Sequence, residues 1–150
     1  MIRLATPYDM EACKTMLREY AQETQLRTLI EMQDRQHVTA LLERMILGAG
    51  FVLIDNQARG MLCAIIHANV WNPAVRELSE LAFYVAPQHR GRTVGGRLWL
   101  EFNRRAQDLL QCGRVALVSC ARQQNLNVER YGYRAMHQTL MREACQPPLS

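Results

Sequence analysis

The chain of 150 residues contains no long apolar run, no paired cysteine motif and a single lysine, Lys14. No segment approaches the about 20 consecutive apolar residues that cross a bilayer, so we expect no spanning helix. The short apolar stretch at the start is too brief for a secretion signal. Five scattered cysteines without a Cys-x-x-Cys pair argue against a zinc site and a disulfide framework, and favour free thiols in the cytoplasm.

The charge balance is mildly basic, with a net charge of +4 and a pI near 9.0. Such a balance suits a polyanionic ligand, and it leaves nucleic acid open as a partner. No run of five or more basic residues and no alternation of basic with aromatic residues supports that second possibility. The four histidines are also not paired at the spacing of metal ligands, so we expect no metal.

Apolar periodicity predicts one α/β domain over residues 1–150, in the order strand, two helices, three strands, helix, strand, short helix, strand. The predicted strands cover 2–5, 51–54, 61–70, 77–85, 115–118 and 133–142. The predicted helices begin after Thr6, near Leu41 and at Val94, with a short turn over 125–131, and 22–38 mixes helix and loop. A strand–helix–strand unit crosses over right-handed and makes its two strands parallel, while the remaining strands are expected to be antiparallel.

The most informative stretch is the loop between the strand that ends at Val85 and the helix that follows. Pro87 ends the strand, and glycines and arginines fill the turn. Glycine lets the backbone approach an anion, and the free N–H groups at a helix start point toward it. Thr93 is also a good helix N-cap, and its hydroxyl is a further potential donor. The predicted pyrophosphate cradle consists of Arg90, Gly91, Arg92, Thr93, Val94, Gly95 and Gly96.

This stretch resembles the acyl-coenzyme A (acyl-CoA) loop of the GNAT superfamily of N-acetyltransferases. The family pattern is Gln/Arg-x-x-Gly-x-Gly/Ala after a strand ending in Val-x-Pro; here residues 88–93 read QHRGRT after VAP at 85–87. Thr93 departs from the pattern, because the family has glycine or alanine there. The order of elements resembles the GNAT fold over nearly the whole chain.

The resemblance implies an enzyme that transfers an acetyl group from acetyl-CoA to a primary amine by direct attack, without a metal. It implies a mixed, mostly antiparallel sheet flanked by helices, with a central parallel pair of strands that splays to hold acyl-CoA. The backbone from Phe83 to Val85 would pair with the pantetheine arm and polarise the thioester.

Glu80 is the candidate general base, because it lies on the strand that leads into the loop and some members of the family place a base glutamate there. A solvated or arginine-paired carboxylate is the alternative. The tyrosine that serves as general acid in the family is replaced here by Val128, although Gly132 and Tyr133 match the pattern that follows it. Tyr131 is then a substitute acid or simply a packed aromatic residue.

Trp71, in the loop after the third strand, either walls the acceptor pocket or packs in the core or against another copy. Two other functions stay open at this stage. One is a catalytically weak acyl-CoA-binding regulator, favoured by Val128 and Thr93. The other is an acyltransferase that acts on a protein, a tRNA-borne amine or a nucleobase, for which the basic pI is the support. The sequence leaves the acceptor, the length of the acyl group and a homodimer undecided.

Overall fold

A five-stranded sheet lies between helical layers in the computed structural model, which describes residues 1–31, 33–121 and 126–144. The strands are β1 (Ile2–Leu4), β2 (Gly50–Asp55), β3 (Gly60–Ala68), β4 (Arg76–Val85) and β5 (Leu117–Ser119). The helices are α1 (Met10–Thr24), α2 (Arg27–Glu31), α3 (Arg35–Ile46) and α4 (Thr93–Gln111). Turns of 3₁₀ helix occupy Pro7–Asp9, Pro87–His89 and Glu129–Tyr131. Among these described residues, no helix is both long and apolar enough to cross a membrane.

The strands are arranged in the order β1-β2-β3-β4-β5, with antiparallel pairing up to β4 and parallel pairing between β4 and β5. This arrangement confirms the predicted mixed sheet. The parallel ladder is short: it joins Glu77 to Leu117 and ends where Ser79 meets Ser119. Because β5 ends at Ser119 and β4 continues to Val85, no described strand lies beside β4 on this side after the last pair.

Successive side chains of β3 point to opposite faces of the sheet, and each face has its own hydrophobic core. Leu62 faces α4, where it packs with Leu98 and Phe102. Its neighbour Cys63 faces the opposite side, where α1 and α3 supply Met16 and Leu42 among others. The sheet is therefore covered on both faces, and α4 is fixed directly against the strands that lead to its own start.

A buried ion pair closes the β2–β3 hairpin. The carboxylate of Asp55 is 1% exposed and accepts hydrogen bonds from Arg59 at 2.7 Å (Nε) and 2.9 Å (Nη2), and from the backbone N–H of Gln57 at 3.0 Å. The guanidinium of Arg59 is the main cause that holds the pKa of Asp55 well below its usual range. This charged pair ties the turn to the edge of the core.

The strand predicted over 133–142 does not form. This segment has no strand assignment, and its apolar side chains Met136, Leu140 and Met141 are exposed. The residue that follows this segment contacts α2. The carboxylate of Glu143 accepts hydrogen bonds from the backbone N–H groups of Arg27 and Thr28 at the start of that helix.

Two further expectations need correction. The strand predicted over 115–118 is the shorter edge strand β5, which begins at Leu117, and Leu117 is 52% exposed because no strand lies beyond it among the described residues. The short helix predicted over 125–131 is a 3₁₀ turn that begins at Glu129, and position 125 lies outside the described residues.

Candidate active site

The loop between β4 and α4 presents the start of α4 without a side-chain cap. The N-cap is Arg92, whose backbone is extended (φ −112°, ψ −160°), and no side chain caps the helix start within the described part of the chain. Thr93 is therefore the first helical residue and not the predicted cap, because the change from extended to helical backbone occurs one residue earlier. The first N–H groups of an α-helix have no partner inside the helix, so those of α4 are available to an anion.

Three glycines shape this loop in different ways. Gly91 has φ +75°, a conformation that side-chain-bearing residues rarely adopt. A Cβ on Gly95 would lie 3.6 Å from Val85 Cγ2 and 3.9 Å from Phe83 Cε1, so this residue faces β4. A Cβ on Gly96 would meet nothing within 4 Å. Gly91 thus sets the turn, Gly95 lies against β4 with room for a Cβ at ordinary contact distance, and Gly96 faces open space.

Arg90 fastens the loop to β4 and α1. Its Nε donates to the carbonyl of Val85 at 2.8 Å, and its Nη2 forms an ion pair with Glu23 of α1. The same guanidinium lies 5.7 Å from the ring centre of Tyr84, whose hydroxyl donates to Glu19 at 2.6 Å. Arg90 lies in the predicted cradle but already has an acidic partner, whereas Arg92 is exposed with its side chain in the solvent.

The end of β5 at Ser119 leaves one edge of β4 open. From Leu81 to Val85, β3 lies on one side of β4 and no strand lies on the other among the described residues. At about 3.3 Å per residue, this edge is about 17 Å long. Phe83 and Val85 lie within it. An extended chain with amide groups, such as a pantetheine arm, has the length and the hydrogen-bonding groups to lie along such an edge.

Glu80 lies where this open edge begins. Its carboxylate accepts a hydrogen bond from the backbone N–H of Ala121, just beyond β5, at 3.3 Å. The pairing of β3 with β4 shifts here: Ala64 pairs with Glu80 and Cys63 with Ala82, which leaves Leu81 as the extra residue of a β-bulge. Bulges often redirect side chains next to active sites.

The environment of Glu80 favours its protonated form. Burial raises the pKa of this carboxyl above its usual value, although the Ala121 N–H acts in the opposite direction. Burial and the charge of Glu80 together raise the pKa of Tyr20 in α1, so the phenol and the carboxyl share one environment. Tyr20 was not among the predicted site residues, because its helical spacing indicates only that it lies on the apolar face of α1. A buried carboxyl with a raised pKa is suited to accept a proton from an amine.

Tyr131 lies apart from this group. The centre of its ring lies 5.9 Å from that of Trp99, and the two rings are nearly perpendicular (89°), on the α4 side of the sheet. Val128, at the position where the family has tyrosine, is 5% exposed and part of the α4-side core. The structure therefore does not bring Tyr131 together with Glu80, and it gives Tyr131 a packing contact.

Trp71 projects into solvent from the β3–β4 loop, with 92% of its surface exposed. The side-chain oxygen of Asn69 holds this loop by accepting from the backbone N–H of Trp71 at 2.8 Å and of Asn72 at 3.0 Å. Among the described residues Trp71 packs in neither core. Its role at the acceptor pocket stays a prediction.

The sequence matches the model of the acetyltransferase (GNAT) family over residues 10–133. This chain belongs to the GNAT family of acetyltransferases. No curated protein matches the sequence significantly.

Solved structures agree with this assignment at the level of the fold. A transcriptional regulator from Bacillus halodurans C-125 is 17% identical, with a TM-score of 0.63 over 96% of this chain and 99% of that one. An aminoglycoside acetyltransferase from an uncultured soil metagenomic sample is 13% identical, with a TM-score of 0.64 over 98% and 96%. A ribosomal-protein-alanine N-acetyltransferase from Brucella melitensis biovar Abortus 2308 is 16% identical, with a TM-score of 0.59 over 96% and 98%.

Proposed function

We propose that this protein transfers the acetyl group of acetyl-CoA to a primary amine by direct attack of the amine on the thioester. The observation that carries the proposal is the position of Glu80. This partly buried carboxyl lies at one end of the open β4 edge, and the uncapped start of α4 follows the other end.

Each part of the proposed site, from the start of α4 to Glu80, has its own role. The backbone N–H groups of Thr93 to Gly96 bind the pyrophosphate, and the dipole of α4 adds to their attraction for its charge. The open edge around Phe83 and Val85 pairs with the pantetheine arm. Glu80 takes the proton that the amine loses as it attacks the carbonyl carbon. These groups hold the thioester and the amine in one place, which itself lowers the barrier.

The nature of the acceptor is the open part of this function. Among the structural neighbours, one is described as an aminoglycoside acetyltransferase and another as a ribosomal-protein-alanine N-acetyltransferase. An aminoglycoside, a polyamine and a peptide that begins with alanine therefore form a sensible first panel. All three offer a primary amine.

The test is an assay of thiol release from acetyl-CoA with kanamycin, spermidine and an alanine-starting peptide as acceptors. We expect release above the acceptor-free rate with at least one of them, and acetylated amine in the product mixture. We also expect acetyl-CoA to raise the melting temperature, since a ligand at 100 times its Kd adds about 2.7 kcal/mol to stability. Absence of turnover with all three acceptors would refute the proposal.

A catalytically weak acyl-CoA-binding regulator is the second candidate. The burial of Val128 at the position of the family's general acid favours it. One structural neighbour is also described as a transcriptional regulator. A rise in melting temperature with acetyl-CoA, without turnover of any acceptor, would support this candidate over the enzyme.

A further inference from the structure

Three polar side chains from adjacent strands form one hydrogen-bonded row beside the open β4 edge. Nε2 of His67 in β3 lies 2.7 Å from the Oγ of Ser79 in β4. The Oγ of Ser119 in β5 lies 3.0 Å from the same Ser79 oxygen. Ser79 and Ser119 are also the last paired residues of β4 and β5. The row therefore crosses three strands at the point where the pairing of β4 with β5 ends.

The direction of the hydrogen bonds in this row follows from its fixed end. Nδ1 of His67 lies 2.9 Å from the carbonyl oxygen of Ala68, which can only accept. Neutral His67 therefore carries its proton on Nδ1, and its Nε2 accepts from Ser79. Since the hydrogen of Ser79 is used in this way, Ser119 donates to Ser79. The oxygen of Ser119 can therefore accept a hydrogen bond from a donor outside this row.

A carboxylate lies beside the imidazole of His67. Oε1 of Glu77 lies 3.5 Å from Nε2 of His67, and its Oε2 accepts from the side-chain amide of Asn69 at 2.8 Å. The other charged groups of β4 are Arg76, directly before Glu77, and Glu80, while β5 contributes no charged side chain. The row thus ends at Nε2 of His67, with the carboxylate of Glu77 beside it.

The other end of the row opens toward the proposed reaction site. Ser119 is exposed, and Ala121, two residues further, donates its backbone N–H to Glu80. Ser119 and the bound carboxylate of Glu80 therefore both lie at the end of the β4–β5 ladder, where the open edge begins. The thioester is proposed to lie at this end of the edge.

We propose that Ser119, Ser79 and His67 form a second path for the proton of the acceptor amine, in addition to Glu80; this inference rests on the proposed acetyltransferase function. Ser119 is the group that contacts the amine, and Ser79 and His67 act through it as positioning residues. The amine loses an N–H proton to the oxygen of Ser119 while the hydroxyl proton of Ser119 moves to Ser79. The proton of Ser79 moves to Nε2 of His67.

One bond forms and one bond breaks at the thioester carbon in the same reaction. The nitrogen lone pair forms the C–N bond with the thioester carbonyl carbon, and the C–S bond breaks with its electron pair on sulfur. The thiolate takes a proton from solvent, and imidazolium at His67 returns its proton to solvent. No group is oxidised or reduced.

The test compares Ser119→Ala, Ser119→Thr and His67→Gln with the wild type in thiol release from acetyl-CoA. Kanamycin, spermidine and the alanine-starting peptide serve as amine probes between about pH 6 and pH 9. We expect Ser119→Ala and His67→Gln to lower kcat about tenfold near pH 6.5, below the usual effect of a general base because Glu80 remains. The deficit shrinks toward pH 9, where more of the amine is already deprotonated. KM for acetyl-CoA stays unchanged, and Ser119→Thr, which keeps the hydroxyl, restores the rate.

Two results would overturn the relay while leaving the acetyltransferase intact. One is a wild-type kcat in Ser119→Ala at every pH. The other is a deficit of the same size at every pH, which indicates a structural role. Because Ser119 is exposed, its replacement keeps the test valid even if His67→Gln fails to fold. A wild type that binds acetyl-CoA but turns over none of the three probes refutes the proposed function and the relay with it.

Discussion

The carboxylate of Glu80 and the backbone N–H of Ala121 are joined by a hydrogen bond of 3.3 Å, just past the last paired residues of β4 and β5. This bond connects the two strands where their ladder has already ended. It keeps the carboxylate at the beginning of the open β4 edge. Glu80 is thereby held at the place where the proposed reaction requires a base, even though burial works against its charge.

Glu80→Gln should lower kcat by about 10²–10⁴-fold, the usual contribution of a general base. The affinity for acetyl-CoA should stay the same, because the phosphates bind at the other end of the edge. The deficit should shrink at high pH, where the amine is already deprotonated in solution. Initial rates and calorimetric titration of acetyl-CoA measure the two effects, with Glu43→Gln on the surface of α3 as a control. Wild-type turnover across the pH range would exclude Glu80 as the base.

The same variant should be more stable than the wild type at pH 7. The pKa of Glu80 is raised in the folded protein, so its protonated form favours folding. That contribution is complete below the unfolded-state pKa of about 4.3 and is lost as the pH rises through the folded-state pKa. Glutamine stays neutral, so the gain in Tm should be visible at pH 7 and absent near pH 4. A lower Tm than wild type at pH 7 would show that the carboxylate is stabilised in its site.

Gly91→Ala and Gly113→Ala form a matched pair. Both glycines have positive φ, +75° and +76°, and a Cβ on either would meet nothing within 4 Å. Each alanine should therefore cost about 1–2 kcal/mol of stability through backbone strain alone. Only Gly91 lies in the proposed cradle, so only Gly91→Ala should weaken acetyl-CoA binding. Urea denaturation gives the stabilities and calorimetry gives the affinities. Equal affinities in the two variants would argue against this loop as the phosphate site.

Gly96→Asp should abolish most of the binding of acetyl-CoA without unfolding the protein. The position faces open space, and an acidic residue in the first turn of a helix is favourable for the helix itself. Like charges 4 Å apart repel by about 4 kcal/mol near a protein surface, so a loss of affinity of about tenfold or more is expected. Gly96→Asn, with the same shape and no charge, is the control. Similar affinities for the two variants would move the pyrophosphate away from α4.

The sequence predicts the segment from β4 to α4 well because its signals are local. The apolar run from Leu81 to Val85 stops at Pro87, glycines mark the turn, and helical spacing begins at Val94. The parallel pairing of β4 and β5 follows from the helix between them and the handedness of such connections. Glu80 could be placed at the end of the open edge from these features and from the resemblance to the family.

Features that depend on distant contacts were not predictable from the sequence. The bulge at Leu81 arises from the pairing of β4 with β3, and the proximity of Tyr20 to Glu80 arises from the packing of α1. Residues 133–142 include several apolar side chains, but a strand requires a partner edge. Here Glu143 binds the start of α2, and the segment does not extend the sheet beside β5.

Asp55→Asn should destabilise the protein at pH 7 by about 3 kcal/mol, the lower end of the range for breaking a buried ion pair, because Arg59 reaches solvent. The folded-state pKa of Asp55 lies below its unfolded-state value. Its contribution is therefore present above about pH 4, the unfolded-state pKa, and is lost as the pH falls through the folded-state pKa. Urea denaturation should show the two proteins converging at low pH. Asp108→Asn, in an exposed pair with Arg104, is the control and should change little.

Glu23→Gln should strengthen the binding of acetyl-CoA a few-fold. Glu23 forms an ion pair with Arg90, at the edge of the proposed cradle. Removing this carboxylate frees the guanidinium for a phosphate and removes a like charge from its surroundings. The pair is exposed at both ends, so stability should fall by less than about 1 kcal/mol. Glu11→Gln, an exposed acidic residue on the same helix, is the control. Calorimetry at two salt concentrations should show the gain shrinking as salt rises, because exposed charges are screened. Weaker binding in Glu23→Gln would show instead that the ion pair holds the loop in its binding conformation.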